Sequence, residues 1–64
     1  MYRTFIRTWW RVNKEWPRGL EPHAGRKSWC TTWSNEAQAR QECQEYNATH
    51  NPGRLSRKME YTSV

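Results

Sequence analysis

Four side chains in this sequence could share a metal ion: His23, Cys30, Cys43 and His50, in the symmetric spacing H-x6-C-x12-C-x6-H. Zinc ligands normally come in close pairs such as C-x2-C, because one turn of chain must present two donors to one ion. Here no two members of the set are closer than seven positions. The expectation is no metal and no cofactor, with two buried thiols and two exposed histidines. The same residues could pair a thiol nucleophile with an imidazole base, but that chemistry also needs an orienting group. A chain of 64 residues is too small to enclose a cleft around all three. It reads as a binding protein and not as an enzyme.

The more informative pattern lies at the start. From Tyr2 to Val12 the residues alternate, with neither Gly nor Pro to interrupt them. As an extended strand, Tyr2, Thr4, Ile6, Thr8, Trp10 and Val12 share one face, and Arg3, Phe5, Arg7, Trp9 and Arg11 share the other. The second face interleaves cations with rings. Single-stranded nucleic acid is held by that combination, rings stacking on bases and cations neutralising phosphates. Lys27, Trp29 and Trp33 are candidate neighbours in the next strand. Trp and Arg also dominate protein interfaces, so the alternative is another protein held by this patch or by the loop carrying Trp16 and Arg18. A third reading is structural, with Arg3, Arg7 and Arg11 shielding the sheet's own rings.

Composition sets the frame for these elements. The chain is 34% hydrophobic and 27% charged, with a mean hydropathy of -1.28. Those values would suit disorder, but five Trp, three Tyr and one Phe do not, since disordered segments are poor in aromatics. Each ring can bury roughly 150–250 Å² and carry a small core where aliphatics are scarce. The longest apolar runs are two residues, Phe5-Ile6 and Trp9-Trp10, so neither a membrane span nor an export signal is expected. A reducing, cytoplasmic compartment is expected, with Cys30 and Cys43 as thiols; a Cys30–Cys43 disulfide would require export. The net charge of +5 is uneven: +5 over residues 1–33, -2 over 34–50 and +2 over 51–64. Eight of the eleven cations are Arg, the better fork for phosphate or carboxylate.

Residues 13–25 hold Pro17, Pro22, Gly19 and Gly25 without periodicity and read as a long loop, pinned by Trp16 and Leu20. Arg26–Trp33 reads as a second strand, with Trp29, Thr31 and Trp33 on one side. Ser34 is a good N-cap for a helix from Asn35 to about Thr49, with a thin apolar stripe of Ala39, Cys43 and Tyr46 and a pair between Glu36 and Arg40. Glu36, Glu42 and Glu45 read as its solvated face. Asn51-Pro52-Gly53 stops the helix, and Leu55–Val64 reads as an edge strand.

The expected fold is α+β: a three-stranded antiparallel sheet with one helix packed on one face (β-β-α-β), forming one domain over residues 1–64. Its expected core is Ile6, Trp10, Cys30, Ala39, Cys43, Tyr46, Leu55 and Met59. One helix covers one face only, so the Arg3/Phe5/Arg7/Trp9/Arg11 face is expected to be exposed, and a homodimer is one way to cover it.

The stretch from Glu36 to Ala48 (EAQARQECQEYNA), followed by Asn51 to Tyr61 (NPGRLSRKMEY), resembles the C-terminal half of small orphan proteins encoded by enterobacterial phages and prophages. The Trp-rich opening and the loop from Trp16 to Pro22 are similar in character. The resemblance covers about half the chain. It implies a setting, a phage or prophage in the cytoplasm of a bacterial host, where the alternative partner becomes a host protein bound by an adaptor or inhibitor, and no mechanism.

Overall fold

A computed structural model describes residues 1–64. Three strands, β1 (Tyr2–Arg7), β4 (Ser28–Trp33) and β5 (Lys58–Ser63), form an antiparallel sheet in the order β4-β1-β5. One helix, α1 (Glu36–Thr49), packs on one face of it. A second, two-stranded sheet pairs β2 (Trp10–Val12) with β3 (Leu20–Pro22), joined through a 3-10 turn at Pro17–Gly19. The class is α+β, with a three-stranded sheet and one helix as the sequence implies.

The first strand has the expected phase but not the expected length. Thr4 and Ile6 turn toward the helix side, and Arg3, Phe5 and Arg7 toward the other, as shown by their antiparallel partners Tyr61, Met59, Thr62, Glu60 and Lys58. The single strand expected over Tyr2–Val12 is broken at Thr8 and Trp9. An unbroken run of that length would outreach β4 and β5, at six residues each. Instead the backbone is captured from both sides. Leu55 O accepts from Trp9 N and Trp10 N at 2.9 and 3.2 Å, His23 N donates to Trp9 O at 2.9 Å, and Gly25 N donates to Thr8 O at 2.8 Å. A Cβ at position 25 would lie 2.6 Å from Thr8 Oγ1, so glycine is what lets the two segments approach. The expected loop over 13–25 is therefore partly ordered: β3 and the 3-10 turn lie inside it. The resulting hairpin extends the molecule to 43 × 24 × 13 Å.

A bulge in β4 changes which side chains share a face. The register runs Arg3↔Thr32 and then Phe5↔Trp29, so β4 places two residues opposite Thr4 and its alternation slips by one. Trp29 joins Phe5 on the helix-free face, while Thr31 and Trp33 turn toward α1. The expected grouping of Trp29 with Thr31 and Trp33 is corrected by this one inserted residue.

The helix begins as composition suggests but is capped by Asn35, not Ser34: Asn35 Oδ1 accepts from Ala37 N at 2.7 Å. Ala39 and Cys43 are its buried residues, small enough to bring α1 close to the sheet. Glu36 and Arg40 form the expected i, i+4 pair at 2.9 Å. Asn47 grips the outer edge of β5, donating to Met59 O at 3.0 Å and accepting from Met59 N at 2.9 Å.

The buried residues are Thr4, Phe5, Ala39, Cys43 and Met59. Ile6, Tyr46 and Leu55 are half-buried, and Trp10 and Cys30, expected in the core, are exposed. Trp10 leaves with the hairpin, and Cys30 sits in the bulge at the sheet edge. β5 begins at Lys58, not Leu55, because residues 53–56 form a turn with Gly53 and Ser56 at positive φ. No helix is long and apolar enough to cross a membrane.

Candidate functional site

The helix-free face gathers six of the ten residues singled out in the sequence. Strand β1 supplies Arg3, Phe5 and Arg7, β4 supplies Trp29, and the flanking turns supply Trp9 and Lys27. Phe5 and Trp29 are paired across the strands and meet edge-to-face at 5.4 Å. The Arg3 guanidinium lies over Trp29 at 4.1 Å. That of Arg7 stands 5.1 Å from the Phe5 ring and 5.0 Å from Trp9. The Lys27 ammonium stands 5.1 Å from Phe5 and 5.5 Å from Trp29. Each cation is held against a ring face by the ring's quadrupole, at roughly 0.5–2 kcal/mol per contact.

Phe5 is covered by these neighbours and is only 5% exposed, so the expectation of an exposed Phe5 is corrected. The exposed rings are Trp9 and Trp29. The Arg7 side chain is only 15% exposed. Its Nε is buried without a hydrogen bond, and its nearest carboxylate oxygen, on Glu60, is 4.0 Å away. No carboxylate therefore grips its charge closely.

The sequence did not single out Lys58 and Glu60, which share this face opposite Arg7 and Phe5. Their alternation in β5 was legible, but their place beside Arg7 needs the register. With Lys58 included, the face carries Arg3, Arg7, Lys27 and Lys58 against Glu60. Lys58 also lines a polar groove of about 280 Å³ with Asn47, His50, Pro52 and Arg57 at the C-terminal end of the helix.

Four predicted site residues lie elsewhere. Arg11 faces Glu21 across the hairpin and donates to its carboxylate. That hydrogen bond, joined by one from Asn13 at 3.2 Å, holds Glu21 below the usual carboxylate range. Trp16 and Arg18 line a separate open groove of about 510 Å³ with Trp10, Pro17, Leu20 and Pro22. Trp33, a candidate neighbour, is on the helix side.

On that side Glu42 is a hub, where the sequence reading had it solvated. Its carboxylate accepts from Thr4 Oγ1 at 2.9 Å, Trp33 Nε1 at 2.8 Å and Thr31 Oγ1 at 3.0 Å. Partial burial opposes its charge, but the three hydrogen bonds together outweigh that and hold the carboxyl below its ordinary value. Burial and the same carboxylate push the Cys30 and Cys43 thiols up. Both cysteines are free, and no three of the His, Cys and Glu side chains are gathered as a ligand set.

Comparison with family models, with curated proteins and with solved structures found no match to this chain.

Proposed function

We propose that this chain is a small binding protein whose helix-free sheet face takes single-stranded nucleic acid. The observation that carries the reading is the alternation on one face of cation and ring, Arg3 with Trp29 and Arg7 with Phe5 and Trp9. Residues two apart on a strand are about 6.6–6.8 Å apart, a spacing that successive phosphates of an extended strand can follow. Guanidinium planes and indoles both stack on bases. A guanidinium resting on a ring keeps its outward N–H groups for phosphate oxygens, and its position is already set.

Charge distribution supports the same face. The helix segment, net -2 over residues 34–50, covers the opposite side, so a polyanion is steered to the helix-free side. An acidic helix is poorly suited to the groove of a duplex, which favours single strands. Binding is expected to be weak and sequence-tolerant, since nothing on the face is built to read base edges. The setting that goes with this proposal is a phage or prophage product in a bacterial cytoplasm, on the strength of the resemblance of residues 36–61.

The test is quenching of tryptophan fluorescence by a mixed-sequence oligonucleotide at low salt. Quenching that weakens with added salt, and is lost in Trp9→Ala and Arg7→Glu, supports the proposal. No quenching at tens of micromolar by a folded protein overturns it.

A further inference from the structure

Trp9 and Trp10 are neighbours in the chain but serve different surfaces. Trp9 stacks with Arg7 on the sheet face, whereas Trp10 lines the hairpin groove with Trp16, Pro17, Arg18, Leu20 and Pro22. Cross-strand pairing builds this groove: Trp10 stands opposite Pro22, and Val12 opposite Leu20. Backbone hydrogen bonds from Asn13 N to Gly19 O and from Gly19 N to Trp16 O, both 2.9 Å, fold the connecting turn over it. At about 510 Å³ it falls in the usual range for a ligand site, roughly 300–1,000 Å³. It is open along its length, which suits a segment of chain better than an enclosed small molecule.

The groove's polar groups narrow the choice of occupant. Among the five indoles only Trp33 spends its N–H on a partner within the protein; Trp10 and Trp16 are 38% and 44% exposed and keep theirs free. Arg11 is neutralised by Glu21. Arg18 has no ion pair and is the groove's one uncommitted cation. It is held there in a left-handed backbone conformation, φ 60°, which is strained for any residue with a side chain. The groove therefore offers indole and proline rings and one positive charge, and the two indoles that line it have N–H groups with no partner in the protein.

A polyproline II segment matches this set of groups. Its carbonyls have no internal hydrogen bonds, its rings present flat apolar faces, and it is already extended, so little order is lost on docking. Arg18 adds a preference for a carboxylate beside the prolines. We propose that the hairpin groove is a docking site for a proline-rich, acidic segment of a partner protein, independent of the nucleic-acid face.

The experiment follows the indole N–H resonances of the intact chain during titration with a short blocked peptide of alternating prolines bearing one glutamate. Two controls are a twin with alanine for proline and a twin with glutamine for glutamate. The expected result is movement of the Trp10 and Trp16 resonances while those of Trp29 and Trp33 stay put, with the alanine twin bound about tenfold more weakly. Arg18→Asn keeps a residue tolerant of left-handed backbone. It should weaken the glutamate peptide and leave the glutamine twin unchanged. Trp16→Ala should lose both peptides, and unshifted sheet amides will show that it folds. No movement at millimolar peptide, equal binding of the alanine twin, or displacement of the peptide by a single-stranded oligonucleotide would each overturn the proposal.

Discussion

Thr4 of the central strand donates its hydroxyl hydrogen to Glu42 of the helix at 2.9 Å, and so ties the sheet to the helix by a polar contact. Thr4 is fully buried, and its Oγ1 also accepts from Thr31 N at 3.0 Å inside the bulge. One threonine thus fills the gap that the bulge opens in the β1–β4 ladder. Glu42 then collects Thr31 and Trp33 as well. Where a larger domain would place aliphatics between helix and sheet, this one places a carboxylate with three donors.

Glu42→Ala should therefore be strongly destabilising. It leaves Thr31 Oγ1 and Trp33 Nε1 without their acceptor and Thr4 only the longer contact to Thr31 O at 3.3 Å, and a buried unsatisfied donor costs about 1–3 kcal/mol. A loss near 3 kcal/mol is expected, a large part of the roughly 3–5 kcal/mol available to a domain this size. Glu42→Gln should lose less, because its amide oxygen still accepts. Urea unfolding followed by circular dichroism measures both.

The same carboxylate predicts the direction of the pH dependence. Its folded-state pKa lies below its ordinary value, so its stabilisation is fully present above the unfolded-state pKa. That stabilisation is lost as pH falls through the depressed folded-state value. The wild type should lose stability on acidification below the ordinary Glu range, with a shallower loss in Glu42→Gln. Equal slopes for the two proteins would show that Glu42 is not the titrating group.

Gly25→Ala should weaken the attachment of the hairpin. The added Cβ would lie 2.6 Å from Thr8 Oγ1 and 3.2 Å from Thr8 O, and overpacking of this kind costs about 1–3 kcal/mol. Thr8→Ala removes the first contact and leaves the second, so the double variant should recover part of the loss. A double-mutant cycle on thermal unfolding reads the coupling.

Arg7→Glu and Arg11→Glu should separate the two surfaces. Arg7 belongs to the sheet-face cluster and Arg11 to an ion pair with Glu21. On the proposed reading the first variant loses oligonucleotide binding by about tenfold or more. The second, remote from the cluster, changes it by less than about threefold. Arg11→Ala should cost little stability, because the pair is exposed and screened by solvent. Salt-dependent fluorescence titration measures the first two, and urea unfolding the third.

The two thiols should react in order. Cys30 is exposed and Cys43 buried, so a disulfide reagent should modify Cys30 alone in the native protein and both cysteines after unfolding. Partial desolvation of its sulfur by the neighbouring chain, with the Glu42 carboxylate nearby, raises the Cys30 thiol pKa even though the residue is accessible, and only the thiolate attacks. Its rate at neutral pH should therefore fall below that of an unstructured cysteine and climb as pH rises.

Local patterns carried much of this fold. The alternation of Arg3, Thr4, Phe5, Ile6 and Arg7 set the phase of β1, the Ala/Gln/Glu/Arg run from Glu36 to Thr49 set the helix, and Asn-Pro-Gly ended it. These depend on backbone sterics and side-chain spacing within a few residues. Tertiary structure decided the rest. The bulge at Cys30–Thr31 arises because Thr4 bonds the β4 backbone, and it moves Trp33 to the helix side and leaves Trp29 beside Phe5. The break after Arg7 arises because Leu55 and Gly25, far along the chain, capture Thr8, Trp9 and Trp10. Glu42 became a hub because three donors meet it from two strands, which no helical pattern records. Phe5 is buried on the open face because Arg7, Lys27 and Trp29 converge on it from three segments. Spacing along the chain determined which side chains could share a face; contacts between distant segments determined which of them touch.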